Sequence, residues 1–127
     1  MAFRVKEADF RAAAARVLDG LPDEFRKRME NVVVVVEDYP SAEDAASAGV
    51  PRGELLGLFH GVTRPGQEWR GGAPDRLPER IVLYRRNIEA VCSTKEELVE
   101  EIRLTVLHEI GHYFGLGEEE MEKYETG

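Results

Sequence analysis

LTVLHEIGHYFGLGE, residues 104–118, holds His108, Glu109 and His112 in an H-E-x-x-H pattern. Histidines four residues apart leave the same face of a helix, one turn from each other. That separation lets two imidazole nitrogens reach a single tetrahedral Zn²⁺ at about 2.0–2.1 Å. Glu109 lies three residues before His112, where a carboxylate can touch a metal-bound water without filling a ligand position. In a chain with 3 His among 127 residues, chance produces this pattern in roughly one sequence in 100.

The chemistry these residue types suit is hydrolysis of an amide bond. A zinc ion lowers the pKa of its water towards about 7 and polarises a carbonyl. Glu109 would take the water proton as general base and return it to the leaving amine. One Zn²⁺ is the expected cofactor, although two histidines and a carboxylate also suit Fe²⁺ or Mn²⁺.

Outward from the motif, the spacing predicts a long helix over 95–114. Ser93 or Thr94 caps it, Glu96 and Glu97 sit in its first turn, and the motif helix with its turn fills 95–117. Gly115 and Gly117 end it. A short helix is expected over 118–124. Upstream, 80–86 reads as a strand, and 63–78 is a long loop rich in Gly and Pro that contains Trp69. Residues 55–62 read as a second strand, weakened by Gly57. Ser41, with Asp44 three residues on, opens a helix over 42–48 that Gly49 closes. Five consecutive valines, 32–36, predict a strand buried on both faces. Helices are expected over 22–29 and over 3–18, within an N-terminal helical region of residues 1–20. This order gives an α+β fold with a small sheet in one domain spanning residues 1–127.

Composition narrows the function. The net charge is −8, with 17 basic and 25 acidic side chains. Phosphate contact needs clustered Lys and Arg, so no nucleic-acid partner is expected, and no anionic membrane surface. The apolar runs are too short to span a bilayer, and charges interrupt any leader-like segment near the N-terminus. The single cysteine, Cys92, excludes an internal disulfide. A cytoplasmic protein, monomeric or a small homo-oligomer, is the expected setting, with a peptide or protein as substrate.

The stretch HEIGHYFGLGE resembles the extended zincin motif H-E-x-x-H-x-x-G-x-x-(H/D). Together with LLGLFHG and IVLYRRNIE, it makes the chain resemble the small bacterial zincin-like metallopeptidases known as minimal zincins. The resemblance covers roughly residues 20–124. It implies a small mixed β-sheet packed on helices, with the motif helix beneath an active-site cleft. It also implies that 81–85 is a strand near the cleft, to which an extended peptide could pair through its main chain. Gly115 would turn the chain so that the residue three later, Glu118, returns as third metal ligand. That position is usually Asp in the family, and Glu119, Glu120 and Glu122 are alternatives to Glu118.

Other residues have plainer readings. His60, Tyr84 and Tyr113 read as structural, and Met121 as core. Arg85 and Arg86 read as a solvated strand end. Cys92 lacks the partner a catalytic thiol needs. Between Glu96 and Glu125 ten acids face two bases; apart from Glu109 and Glu118 they read as a solvated helix face. Two alternatives stand beside the metallopeptidase. One is a non-catalytic zincin-like module that binds a peptide or protein with weak or absent metal. The other is a metal-dependent hydrolase acting on a non-peptide substrate.

Overall fold

The computed structural model describes residues 3–30, 32–60 and 79–113, together with 115 and 119. The elements run α1 (Glu7–Asp19), α2 (Asp23–Arg28), β1 (Val33–Glu37), α3 (Ala42–Ala48), β2 (Gly57–His60), β3 (Arg80–Tyr84), α4 (Arg85–Ala90) and α5 (Lys95–Tyr113). The architecture is α+β, with a three-stranded mixed sheet in the order β1-β3-β2. β1 runs parallel to β3, and β2 antiparallel to it.

The sheet sorts its side chains by alternation. Ile81 and Leu83 of β3 join Val36 on one face and pack against α1 and α5, where Phe10, Val17, Ile102, Val106 and Ile110 complete the main core. Val82 and Tyr84 face the other way with Leu55, against Ala48 and Val50 at the end of α3. The strand buried on both faces is therefore the central β3, not β1. β1 lies at the sheet edge, where Val33 is 48 % exposed and only Val36 is buried. Five valines specify a strand, but covering both of its faces requires neighbours that the edge position does not supply.

Local chemistry explains the boundaries. Ser41 Oγ accepts the Asp44 N–H at 3.0 Å, and Gly49 ends α3 in the left-handed region at φ 71°. Thr94, not Ser93, supplies the side-chain cap of α5: its Oγ1 accepts the Glu97 N–H, while Glu97 Oε1 accepts the Ser93 N–H. Gly115, at φ 70°, breaks the helix beyond Tyr113. α1 begins four residues later than its apolar spacing suggests: residues 3–6 are not helical, and Lys6 is extended at φ −66°, ψ 150°. Val5 is held there by both of its backbone groups. Its N–H donates to Glu89 Oε2 at 2.8 Å, and its carbonyl accepts from Arg85 Nη1 at 3.2 Å.

α4 is the element that periodicity does not reveal. The strand stops at Tyr84, and Arg85 and Arg86 begin a helix instead of finishing a strand in solvent. Arg85 is 8 % exposed and donates through Nε and Nη2 to Asp38 Oδ1. Arg86 pairs with the buried Glu89 at 2.9 Å. Asn87 donates to the carbonyls of Arg52 and Leu55, fastening α4 to the turn that leads into β2. No helix among the described residues is long and apolar enough to cross a membrane. The expected loop 63–78 with Trp69, and the expected helix 118–124 with Met121, lie outside the described residues.

Candidate active site

α5 buries Leu98, Ile102, Val106 and Ile110 in the core, four residues apart, and so turns another face outward. His108 and His112 are exposed on that outer side. Their ring centroids are 4.5 Å apart and their planes are inclined by 43°. Two imidazoles at this separation, both open to solvent, form a donor pair that fits one borderline-soft divalent ion. Among the described residues no group of three His, Cys, Asp or Glu side chains is placed to hold a metal. Glu118, the expected third ligand, lies outside the described residues, as do Glu120 and Glu122.

Glu109 points towards the sheet. Its Oε1 accepts the backbone N–H of Phe59 at 3.0 Å, tying the motif helix to β2. Burial pushes its carboxyl above the ordinary carboxylate range; the Phe59 N–H, and then His112 and His108, oppose that rise. Phe59 is also packed by Tyr113, whose ring stacks on it at 4.1 Å between centroids. The Tyr113 hydroxyl donates to Glu79 Oε1 at 3.2 Å. Tyr113 thus packs, as its sequence context suggests, and the residue it packs against is the one that anchors Glu109.

A cleft of about 340 Å³ opens beside this anchor. Its sheet side is Leu56 and Gly57; its helix side is Glu101, Leu104, Thr105, His108 and Glu109. Gly57 is what lets the two sides meet. A Cβ at that position would lie 2.7 Å from Thr105 Cγ2 and 3.1 Å from the Val82 carbonyl oxygen. The glycine that weakens the strand by propensity is therefore required by the approach of α5.

The strand at the cleft is β2, not 81–85. β3 is paired on both sides, by β1 and by β2, so it has no free edge to offer an extended peptide. Among the described residues β2 pairs only with β3, which leaves its outer edge on the α5 side. The other candidates sit elsewhere. His60 follows Phe59 and faces away from the cleft, its Nε2 lying 3.9 Å from Asp44 Oδ2 of α3. Tyr84 is fully buried, with its hydroxyl held protonated by burial and by Asp44. Cys92 is buried, and its thiol is pushed up to about 11, chiefly by that burial.

In sequence, Glu101 reads as part of a solvated helix face and Gly57 only as a weak point in a strand, and the Phe59 amide is not singled out. Glu101 was legible in one respect: it precedes His108 by seven residues, two helical turns, and so shares its face. Main-chain donors carry no such sequence mark.

A family model described as zincin-like metallopeptidase matches residues 29–127, more than half of the chain. A search of curated proteins finds no match.

Proposed function

The chain belongs to the zincin-like metallopeptidase family, and we propose that it hydrolyses peptide bonds with one Zn²⁺ held by His108 and His112. Glu118 is the third ligand in this reading and Glu109 the general base. The observation that carries it is the pairing of His108 and His112, with ring centroids 4.5 Å apart, where His108 lines one cleft with the partly buried Glu109. The bound metal would supply a polarised carbonyl and a water acidic enough to attack near neutral pH.

The chain's own groups then have defined tasks. Glu109 Oε1 is engaged by the Phe59 N–H, so Oε2 is the oxygen that takes the proton of the attacking water. A carboxyl raised by burial is a stronger base than an exposed one, and it would pass that proton on to the nitrogen as the amine leaves. The Phe59 N–H keeps the carboxylate from swinging away, and the Tyr113 ring keeps Phe59 in place. An extended substrate would lie along the outer edge of β2, within reach of His108 and Glu109.

The test is Glu109→Gln in zinc-loaded protein, assayed on a casein-type substrate and on small amides and RNA. Loss of peptide hydrolysis by about 100-fold or more, with zinc content unchanged, is the expected result. Normal peptide cleavage by this variant would remove Glu109 from the mechanism. Cleavage of the small amide or the RNA alone would replace the substrate class.

A further inference from the structure

We propose that Glu101 forms a subsite that selects a lysine or arginine side chain of the substrate, near the bond to be cut. The inference rests on the peptide-hydrolase reading and names what that site prefers. Glu101 lines the same cleft as His108 and Glu109. Seven residues separate it from His108, so it stands about 10 Å up the helix axis, the span of three residues of extended chain. That distance excludes it as a ligand to a metal on His108 and His112. It places Glu101 beside a neighbouring substrate side chain instead.

The surroundings define which side chain. Leu56 and Leu104 line the cleft together with Glu101, each partly buried. Glu101 is itself partly buried, and among the described residues its side chain has no hydrogen bond or ion pair, whereas three other acids of α5 do. Glu97 takes the Ser93 N–H, Glu100 takes Arg103, and Glu109 takes the Phe59 N–H. No cationic side chain lines the cleft among the described residues. A half-buried carboxylate in a cleft shared with leucines costs desolvation that a cation recovers. Lysine and arginine match both parts, with an apolar stem for the leucines and a charged head for the acid. A cleft of 340 Å³ is at the small end of ligand sites, suited to one or two side chains.

The experiment compares two peptides identical except that one carries arginine and the other its neutral isostere citrulline, placed within three residues of the scissile bond. Binding is read by calorimetry in zinc-loaded Glu109→Gln protein, and cleavage in the parent. The arginine peptide should bind roughly tenfold more tightly, and the gap should shrink in high salt. Adding Glu101→Gln should erase the gap without changing affinity for the citrulline peptide. Glu101→Lys should reverse the preference towards an acidic side chain.

Equal binding of the two peptides, no binding of either, or a gap that survives Glu101→Gln would each overturn the proposal. Arginine preference in binding with no cleavage by the parent leaves the subsite standing and removes the hydrolase reading. Cleavage without preference does the reverse.

Discussion

Glu109 is the proposed base, and the bond that positions it also says which substitution isolates its role. A glutamine amide oxygen can accept the Phe59 N–H as the carboxylate does. Glu109→Gln should therefore keep α5 on β2 and change stability by no more than about 1 kcal/mol. Glu109→Ala should cost more, because it leaves the Phe59 N–H without its partner; thermal melts of the two variants make the comparison. Equal melting of both would mean that the bond contributes nothing. Cys92 offers an independent check on burial. With the thiol pushed up to about 11, its thiolate is scarce at pH 8. Ellman's reagent should react about 100-fold more slowly than with a free cysteine, and at full speed once urea unfolds the chain. Reaction of the folded protein at the free-cysteine rate would place Cys92 outside the core. At this scale the sequence was most informative for the histidines, whose spacing is itself the signal. It was least informative for Arg85 and Glu89, since their partner is the backbone of Val5, and an adjacent Arg pair reads as solvent-facing until that partner is seen.

Among the elements, the contact between β2 and α5 determines whether a cleft exists. Gly57→Ala puts a methyl 2.7 Å from Thr105 Cγ2, so the helix must move outward or the strand must bend. A loss of about 1–3 kcal/mol is expected, read as a lower urea midpoint with unchanged slope. Thr105→Ser removes the methyl that is struck and should restore part of the loss in the double variant; simple additivity of the two changes would contradict the contact. The long motif helix, α3 with its Ser41 cap, and the strands were legible because each carries its own periodicity or punctuation. α4 was not. Its six residues are too few for a helical pattern, and what holds it is the Asn87 amide bonded to two distant carbonyls. The valine run shows the complementary limit. Composition identified β1 as a strand, but its place at the sheet edge comes from the order β1-β3-β2, which no local pattern contains.

For the molecule as a whole, the α+β class and the site helix follow from sequence, whereas the cleft does not. The cleft needs Leu56 and Gly57 brought against residues nearly fifty positions later. The N-terminal segment is part of the same assembly. Phe10, Val17, Leu21 and Phe25 are buried in the main core, yet all precede the family match, which begins at residue 29. Their burial is worth ~6–12 kcal/mol together, comparable to the entire stability of a typical domain. A chain cut to residues 29–127 should therefore lose cooperative thermal unfolding; a sharp transition at the full chain's temperature would show that α1 and α2 are dispensable. Elemental analysis decides whether α5 holds the proposed metal. The protein is purified without chelator or affinity tag, beside His108→Ala. Close to one zinc per chain is expected in the parent and little in the variant. Absence of metal from both, even after zinc is added, would contradict that expectation and leave the His108–His112 helix as scaffold alone.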